Sequence, residues 1–217
     1  ANEINEYFKV LLCALEKLYP ELADKTEHIG HGMVRLATGK MSSRTGEVIR
    51  ATDFIDEIAK EAEKRILENQ PNLPKNSDEL HNLSVSVAIA AIKYSTLKGS
   101  ILQDSVFDKE AALSFEGDSG PYLQYTYARI GSVLEKAQVA GVAKGISVTP
   151  EEPYTIEKLL YRFPEVVAEA LAERAPHHIT NYLTKLAGEY NTFYAQERIA
   201  DPEDEYAPYK AELSEAV

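Results

Sequence analysis

Gly117-Asp118-Ser119-Gly120-Pro121-Tyr122-Leu123-Gln124-Tyr125 ends one short helical stretch and opens a long one, and the class of fold follows from what flanks it. Pro121 falls in the first turn of the long helix, where its missing N–H removes no bond the helix needs. The helix runs to about residue 140, where glycines 141 and 145 loosen the chain. A step of about 100° per residue puts Tyr122, Tyr125, Arg129, Ser132 and Lys136 on one face, and Leu123, Tyr127, Ile130, Leu134 and Ala137 on another. The second face reads as core. The first joins two aromatic rings to cations, the combination that stacks on unpaired bases and neutralises their phosphates. Tyrosines that pack helices and keep a wet hydroxyl give the same pattern.

Upstream, the segment 77–97 is apolar almost all round (Leu80, Leu83, Val85, Val87, Ile89, Ile92), which suits a central helix, and Asn76 with Glu79 resembles a capping box at its start. A break at Gly99-Ser100 leads through Asp104-Ser105-Val106-Phe107 to a short helix beginning near Asp108. Before the central helix, Asn69-Gln70-Pro71-Asn72-Leu73-Pro74-Lys75-Asn76 carries two prolines and three asparagines, the clearest boundary in the chain. It divides the sequence into residues 1–70 and 76–217. In the first part, Ile55, Ile58, Ala59, Ala62 and Ile66 form the buried stripe of a helix that Thr52 or Asp53 can cap. Ile4, Phe8, Leu11, Leu12, Leu15 and Leu18 recur at the spacing of a first amphipathic helix, stopped at Pro20. The stretch 28–37 reads as a strand running into a loop, with Glu47-Val48-Ile49-Arg50 as its returning partner.

Downstream, Ile156, Leu159, Leu160 and Phe163 make a stripe interrupted at Pro164 and resumed by Val166, Val167, Ala170 and Leu171. After Pro176, the residues Ile179, Leu183, Leu186, Tyr190 and Phe193 keep a nearly heptad step. His177 and His178 read as the start of that helix, with no partner in sequence for a metal site. The fold expected is mainly α, a helical bundle over the back two-thirds.

The chain has 217 residues, 44% of them hydrophobic, enough for one good core or two smaller ones. No run approaches the roughly 20 apolar residues of a membrane span, and the first residues lack the pattern of a signal peptide. Cys13 is the only cysteine, which excludes an internal disulfide and fits a reducing compartment. The formal net charge of -12 argues against nucleic-acid binding through a general basic field, but leaves room for a local site. Between Glu197 and Val217, seven acids stand against Arg198 and Lys210. The loop itself is Gly39-Lys40-Met41-Ser42-Ser43-Arg44-Thr45-Gly46. Its glycines permit tight turns, and its two cations and three hydroxyls suit a polyphosphate, as they would a solvated surface turn.

Several separated segments resemble one family. Lys40-Met41-Ser42-Ser43-Arg44 looks like the Lys-Met-Ser-Lys-Ser loop of class I aminoacyl-tRNA synthetases, and with Gly32-Met33-Val34 it resembles the arginine-specific branch. Ile92-Lys93-Tyr94, Phe107-Asp108, the run from Leu113 through Tyr125, Ala128-Arg129, Phe163-Pro164-Glu165-Val166-Val167 and Phe193-Tyr194 are similar to that branch's helical anticodon-binding domain. The resemblance implies that residues 1–70 are the end of a Rossmann-type α/β catalytic domain, phosphate loop 39–46 included. Residues 76–217 would then be the anticodon-binding bundle, cut short at its C-terminus. His28-Ile29-Gly30-His31 spells the family's nucleotide-binding signature, but it runs into a strand rather than opening a helix, so it reads as an extended segment.

The resemblance further implies a ligase that activates arginine with ATP, accompanied by Mg, and transfers it to its tRNA. Lys40 and Arg44 would be catalytic, and Lys40, Ser42, Ser43 and Arg44 would hold the phosphates. Tyr122, Gln124, Tyr125 and Arg129 would contact tRNA. Ser43 and Arg44 stand where the general loop has lysine and serine, so the second cation is displaced by one position. The expectation is a C-terminal piece of a cytoplasmic, monomeric arginine–tRNA ligase, without membrane or resident metal, that binds the anticodon region and does not catalyse alone. Two rival readings are a freestanding tRNA-binding module and a helical protein-interaction scaffold.

Overall fold

Two helices crossing at a glycine set the frame. The computed structural model describes residues 2–36, 50–71, 73–74 and 77–217; the loop residues Lys40, Ser42, Ser43 and Arg44, and Asn76, lie outside them. After a 3-10 turn at Asn2–Ile4 come α1 (Asn5–Leu18), α2 (Pro20–Ala23), β1 (Val34–Leu36), α3 (Ala51–Asn69) and α4 (Asp78–Leu97). Then follow β2 (Ser105–Phe107), α5 (Lys109–Ala112), α6 (Gly120–Val139), α7 (Thr155–Glu173), α8 (His177–Gln196) and α9 (Ala207–Ala216). The described chain is mainly helical, as expected, with one small parallel sheet.

α4 is the shared wall. Its Leu80, Val87, Ala88 and Ala91 pack with Ile58, Ala59, Ala62 and Ile66 of α3, and with Phe107 and Leu113, in a first core. On its other side it seats α6, and a Cβ at Gly120 would lie 2.2 Å from the Ala90 carbonyl oxygen, so only glycine lets the two backbones meet. A second core forms from Ile130, Val133 and Ala137 of α6, Ile156 and Leu159 of α7, Leu186, Tyr190 and Phe193 of α8, and Ala207, Ala211 and Leu213 of α9. The 71–75 boundary thus joins two helices that share one core.

The Tyr94 hydroxyl locks this frame. It donates to Asp118 and meets Thr184 of α8, while Lys98 reaches the other Asp118 oxygen at 3.1 Å. Burial, then the Asp118 hydrogen bond, pushes Tyr94 up to about 12. Burial raises the Asp118 carboxyl, but the bonds from Tyr94 and Lys98 outweigh it and hold the group below its ordinary value.

Several local expectations are corrected. β1 pairs in parallel with β2, Val34 opposite Ser105 and Leu36 opposite Phe107, a pairing the sequence pattern did not show; of the expected returning partner, residues 47–49 lie outside the described residues and Arg50 is in no strand. The pairing is fixed from the side, because Asp104 accepts the Met33 N–H at 2.8 Å and meets Arg35 at 2.5 Å. A Cβ on Gly32 would fall 2.0 Å from the Gln103 carbonyl oxygen, so the two segments close up only over glycine. α3 begins before Thr52 and Asp53, and Asp53 instead accepts from Nε and Nη2 on one edge of the Arg50 guanidinium, at 2.9 and 3.1 Å. α4 is capped by Ser77, whose hydroxyl accepts the Leu80 N–H at 3.1 Å. α7 continues through Pro164, since losing one backbone bond does not outweigh the packing on either side. The buried face of α6 is Thr126, Ile130, Val133 and Ala137, and Tyr127 is 81% exposed.

The acid-rich C-terminal stretch is organised by a buried cation. Lys210 is 5% exposed, and its ammonium meets Glu197 at 2.5 Å and Asp204 at 2.7 Å. The Lys210 bond holds the Asp204 carboxyl below its usual 3.8. Burial lowers Lys210, but its bonds to Asp204 and Glu197 more than reverse this and hold it above 10.5.

Two outcomes follow. Asp204 supplies stability that is complete above its ordinary value and lost as pH falls through the depressed one. Lys210 supplies stability that is complete below its ordinary value and lost as pH rises through the raised one. Lys210→Met is expected to lower stability by about 3 kcal/mol near neutrality and to flatten both limbs, read by urea unfolding across pH. Gly120→Ala is expected to cost about 3 kcal/mol in the same assay, because α4 and α6 must separate to admit the methyl group.

Candidate nucleic-acid interface

The start of α6 is pinned before any functional side chain is placed. Ser119 accepts the Tyr122 N–H at 3.1 Å and donates its own proton to the Ser114 carbonyl, so the cap is tied to the loop below it. From this fixed origin the helix carries Tyr122, Tyr125 and Arg129 up one side, against α8.

The structure brings these three together. Arg129 donates from Nη2 to the Tyr125 hydroxyl at 2.6 Å and from Nη1 to Asn191 Oδ1 at 2.5 Å. Its guanidinium carbon lies 4.7 Å from the Tyr125 ring centroid and 5.1 Å from that of Tyr194. The cation is therefore flanked by two rings and presents its remaining N–H groups at an edge. Tyr125 is 46% exposed and Tyr194 37%, so both rings keep a surface for stacking. Two turns further, Lys136, Tyr194 and Arg198 line a hollow of about 390 Å³ together with the carboxylates of Glu197 and Asp201. The cations of that hollow are matched by carboxylates, Asp201 lying 3.7 Å from Arg198, so Arg129 is the cation that the two rings flank.

Gln124 is not part of this group. Its Nε2 donates to the Ser86 hydroxyl at 3.3 Å, tying α6 to α4, and it lines a larger, mainly apolar groove of about 860 Å³ with Leu83, Val87, Phe115 and Leu123. The residues that sequence reasoning missed are Asn191 and Tyr194, both supplied by α8. Phe193-Tyr194 was visible as a family-like pair, but nothing in the local pattern singles out Asn191. His178 has a partner that the spacing hides: Glu173 of α7 meets its Nε2 at 2.8 Å. With Glu169 these groups gather three possible ligand atoms within 4.8 Å, an arrangement that exposed acidic side chains often adopt with no ion.

The phosphate-loop residues Lys40, Ser42, Ser43 and Arg44 lie outside the described residues. His28-Ile29-Gly30-His31 does not open a helix, in keeping with its reading as an extended segment. His28 stacks on Phe8 with centroids 3.9 Å apart, and its Nε2 meets Asn5 at 3.0 Å. Among the described residues, no helix is long and apolar enough to cross a membrane.

Comparison with known proteins gives the family to which this face belongs. Residues 2–109 match the class I tRNA synthetase (R) catalytic domain, and residues 123–217 match the DALR anticodon binding domain. An arginine–tRNA ligase of Flavobacterium psychrophilum is 36% identical over 219 residues, covering 100% of this chain and 36% of the relative. One from Treponema denticola is 36% identical over 224 residues, covering 99% of this chain and 38% of the relative. The solved arginyl-tRNA synthetase of Thermus thermophilus superposes with a TM-score of 0.72 at 29% identity, over 94% of this chain and 35% of that one. The chain thus spans just over a third of the length of the curated relatives it matches. Arg129→Lys, which keeps the charge but cannot reach Tyr125 and Asn191 together, is expected to lower stability by about 1 kcal/mol, measured by urea unfolding.

Proposed function

Because the chain belongs to the arginyl-tRNA synthetase family, we propose that it is the portion of an arginine–tRNA ligase that carries the phosphate loop and the anticodon-binding bundle. The observation that supports this most is the order of the two family matches on one chain, catalytic over 2–109 and anticodon-binding over 123–217. In this reading the parts divide at residues 71–75. The joint is a packed one, since α3 and α4 share a core and the catalytic-domain match continues to residue 109.

In the whole protein, the carboxylate of arginine attacks the α-phosphate of ATP, pyrophosphate leaves, and the arginyl group passes from the adenylate to the terminal ribose of its tRNA. Magnesium arrives with the nucleotide as part of the substrate. Lys40 stabilises the charge that builds on the departing pyrophosphate, while Ser42, Ser43 and Arg44 hold the loop against the phosphates. No side chain of this chain serves as a nucleophile. Tyr125 stacks on an unpaired base of the anticodon loop, and Tyr122 and Arg129 read its edge or its phosphate. Gln124 contacts the tRNA from the groove it shares with Tyr125, besides tying α6 to Ser86 of α4. The protein acts as a monomer in the cytoplasm, and these residues alone bind tRNA without activating arginine.

In the full-length protein, Lys40→Ala is expected to reduce arginine-dependent pyrophosphate exchange by about 10²–10³-fold and to leave anticodon binding intact. Unchanged exchange would remove the loop from the chemistry and favour a freestanding tRNA-binding module. Tyr125→Ala with no effect on tRNA affinity would favour a scaffold for protein partners.

A further inference from the structure

We propose that Asn191 is a positioning residue that sets the hydrogen-bond polarity of the anticodon face, so that this face offers donors outward. The inference rests on the anticodon role proposed for α6.

Asn191 is half-buried on α8 and reaches across to three side chains of α6. Its Oδ1 accepts from Arg129 at 2.5 Å, and its Nδ2 donates to the Tyr122 hydroxyl at 2.9 Å and to Thr126 Oγ1 at 3.0 Å. The orientation of the amide follows from chemistry. A guanidinium has only donors, so the atom facing Arg129 is the oxygen, and the NH₂ group must face the tyrosine and threonine. Thr126 donates its own proton to the Tyr122 carbonyl at 3.1 Å, which leaves Oγ1 free to accept.

The outward face follows. Since the Tyr122 oxygen accepts from Asn191, its own O–H is free for a ligand. Tyr125 accepts from Arg129 and has its O–H free in the same way. Arg129 is flanked by the Tyr125 and Tyr194 rings and keeps spare N–H groups at its edge. Three neighbouring groups therefore present donors. Such a surface selects an unpaired base through an acceptor-bearing edge, such as a carbonyl oxygen with a ring nitrogen, and disfavours one that offers an exocyclic amine there. The α6 residues alone do not fix this. Without the amide of α8, the Tyr122 hydroxyl can rotate to donate inward.

The isosteric change Asn191→Asp separates positioning from packing. A carboxylate still accepts from Arg129, but it can only accept from Tyr122, so the hydroxyl proton turns inward and a lone pair faces the ligand. The new ion pair preserves the fold. In the 217-residue chain, binding of a hairpin RNA with an arginine anticodon loop is compared with the same stem carrying a permuted loop. Added negative charge weakens both RNAs alike, so the ratio of affinities is the readout. For Asn191→Asp the ratio is expected to fall about tenfold, with a melting temperature at or above that of the unaltered chain. Asn191→Leu, which removes both functions of the amide, is expected to lower the ratio as well. In a Tyr122→Phe background the Asp change should have less effect on it. A preserved ratio in both Asn191 variants overturns the inference, as does a ratio loss that appears only together with a loss of melting temperature. If the unaltered chain does not distinguish the two hairpins, the anticodon reading fails first.

Discussion

Gly120 lies so close to the Ala90 carbonyl that no side chain fits between α4 and α6. That approach sets the rotation of α6 about its axis, and the rotation decides which residues are buried and which are offered to a ligand. With Thr126, Ile130, Val133 and Ala137 turned inward, Tyr122, Tyr125 and Arg129 face α8 and the solvent beside it. The Tyr94–Asp118 bond holds the loop that delivers the glycine, and Thr184 extends the same contact to α8. Three helices are thereby fixed at one point. The face proposed for recognition is a consequence of backbone contact some two turns away from the cation it carries.

If an acidic protein is to bind RNA, as proposed for this one, its cations must be kept local. Here the Arg129 cation is placed by uncharged neighbours, two rings and an amide, rather than by carboxylates that would cancel it. Of the acids of the C-terminal segment, Glu197 and Asp204 are held by the buried Lys210, although Glu197 and Asp201 still line the hollow beside Tyr194. The formal charge of -12 therefore says little about the potential at this face.

The helices were legible in the sequence because their stripes are local. Ile58, Ala59, Ala62 and Ile66 are buried in α3 as their spacing requires, and Leu186, Tyr190 and Phe193 are buried in α8. Tyr122, Tyr125 and Arg129 were legible as a shared face for the same geometric reason. What could not be read depends on partners distant in sequence. β2 is three residues long and pairs with β1 across α3 and α4, so no alternation announces it. Tyr127 seemed a core residue because period alone does not say where the stripe is centred, and the Gly120 contact settles that. Asn191 acquires its role only from the three side chains that happen to stand opposite it, and an amide on a helix carries no local mark of that.

The unequal burial of the two ends of the chain has a bearing on how backbone amides exchange with solvent. Among the described residues, none of α1 is buried, and Tyr7, Val10 and Leu18 are more than 60% exposed. Its side-chain ties include Asn5 to His28 Nε2 at 3.0 Å and Phe8 stacked on the same imidazole, and the turn before it is held by Asn2, which meets His31 at 2.9 Å and Leu102 at 2.7 Å. α1 can fray without opening either hydrophobic core, since none of its residues belongs to them. α4 cannot, because it is packed on α3 from one side and on α6 from the other. Its amides exchange only when the first core opens and the seat of the second is lost with it, which makes the middle of the chain, not either terminus, the slowest part to take up deuterium.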